Sequence, residues 1–415
     1  MTKKQHLITY KIKLLVYGVD CDFKKLSLFF KNSYKNYKIN QIKISDRHFI
    51  KPKDERRNYI PDELILSENN KQSIVKTYYN PKSPFVLTTH SNNLVIYDKK
   101  RKLYWSIKIK PLKLPKFYRQ KYQGLYLNEF VSIVGQDRIS IVPFDGCEHW
   151  FTGRPCRFCG GNPARLGFNP QKPNLSQVSK IGNYTCWWNH NKEFVKKHIA
   201  RGLQALLKYD KPKPHIHIML MTGSLENGFE WKIIFDILPI VKKYINLSKV
   251  DSYLILMPPQ NFKLIDKSKK AGFRNISYNL ECFDKKRFKK VCPGKEKLYG
   301  YDKMIKALKY SVKVFGKGNV RTNFVLGSES IDKTLNGVKT LAKQGIVSDY
   351  SVFFPRPGSV WHDKKPPREK DIIKFTQELI KIYQENNFTP FSCRLSSRSS
   401  IASEVFAYES KINKS

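Results

Sequence analysis

The sequence has no run of about eighteen uncharged apolar residues, so no membrane-spanning helix is predicted. Its N-terminal segment, MTKKQHLITYKIKLLVYG, lacks the sustained apolar stretch of a signal peptide and is interpreted as a strand of a cytoplasmic protein. Apolar residues are nevertheless plentiful, at 40% of the 415 residues. This excludes a disordered chain and predicts one large domain, or a core domain with a second module.

Acidic residues are scarce, with 34 Asp and Glu against 77 Lys and Arg, which gives a net charge of +43. Such an excess attracts polyanions, and nucleic acid is the obvious partner. However, the charge is mainly lysine spread over the whole chain beside abundant Asn, Ile, Tyr and Phe, which is typical of an AT-rich genome. Phosphate-reading sites favour arginine for its bidentate geometry. Both explanations of the charge stay open.

Motifs of several common enzyme classes are also absent. The segment Pro293-Gly294-Lys295-Glu296 lacks the preceding glycine and the following Ser or Thr of a phosphate-binding loop. No GxGxxG opens a helix after a strand, and neither HExxH nor GxSxG occurs. These absences argue against a P-loop nucleotidase, a Rossmann dehydrogenase, a zinc protease of the HExxH type and an α/β-hydrolase.

The apolar pattern predicts a parallel α/β core. Strands and helices alternate six times after a basic, proline-containing stretch at residues 108–119, with glycine following several helices. This predicts an α/β fold, either a partial (β/α)6 TIM-type barrel or an open doubly wound sheet, with ligands at the carboxyl ends of the strands. The predicted strands are 139–144, 216–221, 253–256, 276–280, 320–326 and 350–354.

Three regions are expected around this core. Residues 1–135 show short apolar runs between polar turns and predict a β-rich or α+β accessory module. Residues 136–390 form the predicted barrel, and residues 391–415 a C-terminal extension.

Three of the eight cysteines are crowded directly after the first predicted barrel strand, as Cys147, Cys156 and Cys159. In a chain without an export signal, crowded thiols indicate a metal site. Three thiolates from one loop suit a 4Fe–4S cluster with one open iron, whereas a structural zinc site would need a fourth ligand such as His149 or Cys186. The isolated cysteines are Cys21, Cys186, Cys282, Cys292 and Cys393.

The segment Cys156-Arg157-Phe158-Cys159, with an aromatic residue before the last cysteine of the loop, resembles the cluster motif of the radical S-adenosylmethionine (radical SAM) superfamily. The first gap holds eight residues where three is commonest. The resemblance spans about residues 139–360, and segment 352–358 is similar to biotin-synthase-like members. It implies a partial (β/α)6 barrel, a 4Fe–4S cluster on the three cysteines, and S-adenosylmethionine (SAM) as the second cofactor.

The resemblance also implies a set of SAM-binding residues. Segment 221–224 is similar to the glycine-rich segment that grips the methionyl amino group, although Thr-Gly-Ser stands where Gly-Gly-Glu is usual. Segments 276–281 and 320–327 resemble the strands that meet the nucleoside and the methionine carboxylate. The implied residues are Phe158, Thr222, Gly223, Ser224, Asn279, Glu281, Arg321 and Asn323.

Elementary electrostatics leaves alternatives for some of these residues. Arg321, inside a barrel strand, needs an anionic partner, which is either a ligand carboxylate or an ion pair with Glu281 or Glu329. Thr222 and Ser224 either bind a ligand or form an ordinary turn. Cys282 alternates with Glu281 and is expected to be a buried thiol. Cys292 lies on a loop beyond the fourth strand and is considered as a hydrogen-atom donor to a substrate radical.

The sequence therefore predicts a radical SAM enzyme that cleaves SAM reductively to methionine and a 5′-deoxyadenosyl radical. A ferredoxin or flavodoxin is the expected reductant, and the catalytic residue that meets the substrate is not identified. A small molecule is the first candidate substrate and a nucleic acid the second. The rival from another class is a zinc-stabilised nucleic-acid-binding protein without catalysis.

Overall fold

The computed structural model describes residues 6–33, 60–135, 137–144, 146–160, 184–212, 216–356, 358–391 and 397–412. Cys393 lies outside these ranges, as do parts of the predicted accessory module and C-terminal extension. In the described part of the chain, no helix is both long enough and apolar enough to cross a membrane.

The N-terminal region combines two helices with short strands. Its elements are α1 (His6–Tyr17), β1 (Asp20–Cys21), α2 (Phe23–Ser33), β2 (Glu63–Glu68), β3 (Lys71–Lys76), β4 (Phe85–His90), β5 (Asn93–Asp98), β6 (Leu103–Tyr104), β7 (Lys108–Pro111), β8 (Lys121–Tyr122) and β9 (Leu125–Tyr126). One sheet has the strand order β1-β4-β5-β6, another has the order β3-β2-β7, and β8 pairs with β9. The arrangement is α+β, one of the two expected for this region.

The prediction of a strand at the N-terminus is wrong, because the segment forms helix α1. Lys11, Ile12 and Leu15 are buried in this helix, so the charged side chain of Lys11 lies in the core. Its ammonium donates hydrogen bonds to Glu404 Oε1 (2.6 Å) and Ser397 O (2.7 Å). This distant carboxylate stabilises the buried charge, and the local pattern could not reveal it.

The largest sheet contains seven strands in chain order. They are β10 (Val131–Val134), β11 (Arg138–Ile141), β12 (His217–Met221), β13 (Asp251–Ile255), β14 (Asn275–Ser277), β15 (Val320–Leu326) and β16 (Ile346–Val352). Strands β10 and β11 are antiparallel, whereas β11 to β16 are parallel. Parallel strands in unbroken chain order belong to a barrel-type sheet, because a doubly wound sheet reverses its order. The predicted partial (β/α)6 barrel is confirmed.

At least one helix follows each of the six parallel strands. The helices are α3 (Glu148–Phe151), α4 (Tyr184–Tyr209), α5 (Phe229–Tyr244), α6 (Lys263–Lys270), α7 (Lys285–Val291), α8 (Pro293–Leu298), α9 (Tyr301–Phe315), α10 (Ile331–Ala342), α11 (Glu369–Glu385) and α12 (Ala402–Ile412). Their apolar faces bury the strands, so that Ile218, Leu254 and Ile276 have no exposed surface.

Candidate metal and cofactor site

The three crowded cysteines lie on the loop that follows β11, the first parallel strand. Cys147 precedes α3, and a hydrogen bond from the Cys159 N–H to Cys156 O (2.9 Å) closes a turn between the other two. All three line one cavity, in which Cys156 is buried and the other two are partly exposed. The structure thus brings the three predicted ligands to one wall at the carboxyl end of a barrel strand.

Burial and nearby thiols raise the pKa values of Cys147 and Cys156. Burial raises the pKa of Cys147 to about 12, and the neighbouring Cys159 and Cys156 contribute to the increase. Bound metal reverses such an effect because its positive charge stabilises thiolates. Among the residues described, no three His, Cys, Asp or Glu side chains are arranged to hold a metal ion. In a 4Fe–4S cluster each thiolate binds a different iron, so the ligands are farther apart than those of a single ion, and three thiols on one loop fit such a cluster with one iron left open.

Gly223, which follows β12, lies directly against the cysteine loop. A Cβ atom at this position would be 1.8 Å from Gly146 O and 3.0 Å from the Cα of Cys147. A hydrogen bond from the Glu148 N–H to Ser224 O (2.8 Å) joins the same two loops. Only glycine permits this approach, which places the Thr222 to Ser224 turn beside the first cysteine.

A buried ion pair occupies the region beyond β14. Lys295 Nζ donates hydrogen bonds to Glu281 Oε1 (2.7 Å) and Asn279 O (2.8 Å), and the Lys295 and Glu281 side chains are each 9% exposed. Burial lowers the pKa of Lys295, but its interaction with the Glu281 carboxylate, followed by those with Cys156 and Cys292, raises the pKa above its ordinary value. The thiols therefore have a permanent cation beside them.

Sequence reasoning missed Lys295 because it was considered only as part of a failed phosphate-loop motif. Its role depends on α8 folding back beneath the cysteine loop. The only sequence signal was its proximity to Glu281, which lies 14 residues earlier. Glu281 has a left-handed backbone, with φ of 66°, and its N–H donates to Asn323 O (2.9 Å), which fixes its place beside β15.

Arg321 differs from the other implied SAM-binding residues. Its guanidinium is 4% exposed and donates to both carboxylate oxygens of Asp349 (2.8 and 3.0 Å) and to Thr389 O (2.8 Å). The partner is thus neither Glu281 nor Glu329, the two ion-pair alternatives considered from the sequence. Arg321 does not line the cavity. Its side chain instead pairs with the carboxylate of Asp349 on the adjacent strand β16.

The remaining implied residues share the cavity with the cysteines. This cavity has a volume of about 880 Å³ and extends from the cysteine loop to β16 and to the N-terminal region. Its polar wall includes many hydroxyl groups, and Phe391 contributes an aromatic surface. The implied SAM-binding residues that line it are Phe158, Thr222, Gly223, Ser224, Asn279, Glu281 and Asn323.

Cys186 and His149, the candidates for the fourth ligand of a zinc site, lie in different surroundings. Cys186 is exposed on α4 and contacts His190 Nδ1 at 3.6 Å. His149 is 2% exposed and lines the cavity, and within the described residues neither of its ring nitrogens has a hydrogen-bond partner. Cys282 and Cys292 are both fully buried.

The three-cysteine loop thus lies at the carboxyl end of the first parallel strand of a six-stranded partial barrel, which is the arrangement that the sequence resemblance implied. No family model matches the chain.

The chain is similar to the bacteriochlorophyllide c C-7(1)-hydroxylase of Chlorobaculum limnaeum, with 25% identity over 261 residues. The match covers 60% of this chain, which spans 60% of the length of that relative. Among solved structures, coproporphyrinogen III oxidase from Escherichia coli has a TM-score of 0.41 at 13% identity, covering 65% of this chain and 58% of that one. A radical SAM methyltransferase from Sphaerobacter thermophilus has a TM-score of 0.40 at 12% identity, covering 75% and 77%.

Proposed function

We propose that Cys147, Cys156 and Cys159 hold a 4Fe–4S cluster with one open iron, and that the chain cleaves SAM reductively to begin radical chemistry on a small molecule. The observation that carries this proposal is that the three cysteines and the polar residues that follow β12 and β14 line one cavity. When bound, the cluster would supply one electron for the reductive cleavage of SAM, the source of the radical that takes a hydrogen atom. A ferredoxin or flavodoxin supplies the electron.

The chain's own contribution is to position SAM and exclude water. Glu281 and Lys295 present a carboxylate and an ammonium side by side, which matches the two charges of a free amino-acid group. Thr222, Ser224 and Asn323 offer uncharged hydrogen-bonding groups on the neighbouring walls. Arg321 is left out of this set because, unlike Glu281 and Lys295, it does not line the cavity.

This assignment predicts that Glu281→Gln and Lys295→Met keep the iron but weaken SAM binding. Each removes a hydrogen bond to a charged group, worth about 1.5–3 kcal/mol, which corresponds to a loss of roughly 10- to 100-fold in affinity. Anaerobic equilibrium titration with SAM measures the effect, and near-ultraviolet circular dichroism checks that the variants are folded. Lys333→Met removes an exposed lysine and serves as the matched control. Unchanged affinity in both test variants would assign the pair to structure alone.

The regions outside the barrel complete the cavity in this proposal. We assign residues 1–135 to an accessory module and residues 391–415 to a C-terminal extension, although β10 of the first region pairs with the barrel strand β11. Tyr78 stacks on Phe354 beyond the sixth strand, with ring centroids 4.9 Å apart, and Arg398 forms an ion pair with Glu63. These contacts support a role of both regions in enclosing the substrate.

The substrate class we propose is a tetrapyrrole or a similarly large, flat molecule with carboxylate groups. The name of the Chlorobaculum relative specifies a bacteriochlorophyllide, which is a tetrapyrrole acid. The cavity of this chain offers apolar surface from Phe130, Trp150 and Phe391 together with the guanidinium of Arg356. Apolar walls with a few placed charges suit such a ligand.

A direct comparison of substrates tests this proposal. We expect a tetrapyrrole carboxylic acid to increase 5′-deoxyadenosine formation by the reduced enzyme, because it supplies the hydrogen atom. Single-stranded, hairpin and duplex nucleic acids are expected to leave this rate unchanged. Their binding should weaken as salt rises, and log K should fall against log[salt] with a slope of roughly −0.7 to −0.9 per neutralised phosphate. If the charge of +43 only reflects composition, we expect this binding to be lost at about 0.15 M salt.

The opposite result would favour the second candidate, to which the positive charge points. A nucleic acid that stays bound at about 0.15 M salt and accelerates 5′-deoxyadenosine formation would replace the tetrapyrrole as substrate class.

A further inference from the structure

Cys292 lies opposite Cys156 in a short paired segment. The Arg157 N–H donates to Val291 O (2.9 Å), and the Gly294 N–H donates to Arg154 O (3.1 Å). These two hydrogen bonds flank Cys156 and Cys292 and hold the segments that carry them side by side. The close approach of the two backbones favours a disulfide, which needs Cα atoms within about 7 Å of each other.

The side chains of the two cysteines also face each other. Cys292 is fully buried at the junction of α7 and α8, and Cys156 is 7% exposed. A hydrogen bond with the Cys292 side chain is the largest contribution to the raised pKa of Cys156. Of the two, Cys156 lines the cavity, so a small oxidant in the cavity meets it first.

We propose that Cys156 and Cys292 form a disulfide when the chain lacks its cluster and is exposed to a peroxide. Peroxide oxidises the Cys156 thiol to a sulfenic acid and releases one water. The Cys292 thiol then displaces the hydroxyl as a second water, so two S–H bonds are replaced by one S–S bond while the peroxide is reduced. A dithiol reductant restores both thiols.

This inference rests on the proposed function in one respect, namely that Cys156 is one of the three cluster ligands. The disulfide then withdraws this ligand from the cluster until a reductant restores the Cys156 thiol. The bond protects Cys156 from irreversible oxidation to sulfinic acid, since sulfenic acids beside a resolving thiol are captured as disulfides. Disulfide formation itself does not require the cluster.

Peptide mapping of the iron-free chain tests the proposal. The protein is treated anaerobically with an equimolar amount of hydrogen peroxide, its remaining thiols are alkylated, and it is digested without reduction by trypsin and a glutamate-specific protease. Cleavage after Glu148 and Arg157 separates Cys156 from Cys147 and Cys159. We expect the main linked product to join the Cys156 and Cys292 peptides, lighter than their sum by two hydrogen atoms.

Two variants control this experiment. Cys292→Ser should abolish the link, whereas Cys282→Ser, which changes another fully buried cysteine of the same region, should leave it intact. Circular dichroism verifies that both variants are folded. A folded wild-type chain without this link, or with Cys156 linked mainly to Cys147 or Cys159, would overturn the proposal.

Iron uptake by the oxidised chain separates this proposal from the proposed function. We expect uptake to fall in proportion to the linked fraction and to recover with dithiothreitol. If the link forms and iron uptake is unchanged, the disulfide stands, but Cys156 is not a cluster ligand.

Discussion

Replacement of Cys147, Cys156 or Cys159 by alanine is expected to remove nearly all bound iron and all cleavage of SAM. Two thiolates cannot hold a 4Fe–4S cube firmly, and these three thiols are the ones that line the cavity beside Gly223. Iron content per chain and 5′-deoxyadenosine formation, both measured on anaerobically reconstituted protein, give the readout. Each variant should lose the brown colour of an iron–sulfur protein.

Cys186→Ala is the matched control for this prediction. Cys186 is exposed on α4, away from the cavity wall, and its loss should leave iron content unchanged. If Cys186→Ala or Cys292→Ala loses metal as completely as Cys156→Ala, the site has four protein ligands and the open-iron proposal fails. Zinc in place of iron in the purified chain would indicate the non-catalytic alternative.

The barrel could be predicted from the sequence because its signal is local. Each parallel strand contains apolar residues that the helices bury, and each is followed by residues of helical periodicity. Glycines such as Gly272 and Gly345, which have φ of 106° and 81°, mark the turns after helices. The choice between a barrel and a doubly wound sheet required the strand order, which no local pattern contains.

Errors arose where a side chain has a distant partner. The ammonium of the buried Lys11 donates a hydrogen bond to Glu404, which lies near the other end of the chain, so the N-terminal segment alone does not reveal this partner. Arg321 was correctly recognised as needing an anion, but the partner is Asp349 on the neighbouring strand. A systematic search for acidic residues in the adjacent predicted strands would have found it.

The candidate site shows the same division between local and distant information. The cysteine spacing and the polar ends of strands are visible in the sequence, and seven of the eight implied SAM-binding residues line the cavity. The contribution of Lys295 was invisible because it depends on how α8 packs against the cysteine loop. The contact of Cys292 with Cys156 depends on the same packing.

The second large effect is expected at Gly223. Replacement by alanine would place a Cβ atom 1.8 Å from Gly146 O, which is a backbone atom and cannot rotate away as a flexible side chain would. The Thr222 to Ser224 turn and the cysteine loop must therefore separate. Overpacking of this kind destabilises a protein by about 1–3 kcal/mol. A shift of about 1 Å in a reacting geometry reduces the rate roughly 100-fold, so we expect at least that loss in SAM cleavage.

Gly153→Ala tests whether this loss comes from the contact between the loops. Gly153 lies on the same cysteine loop with φ of 67°, and a Cβ atom there meets nothing within 4 Å. Its replacement should destabilise the chain by about 1 kcal/mol through backbone strain alone and leave iron content and SAM affinity close to those of the wild type. Thermal unfolding, iron analysis and anaerobic SAM titration on both variants separate the two effects. If Gly223→Ala retained full iron and full SAM affinity, the turn after β12 would not belong to the cofactor site. The hydrogen bond between Glu148 and Ser224 would then serve only to hold the two loops together.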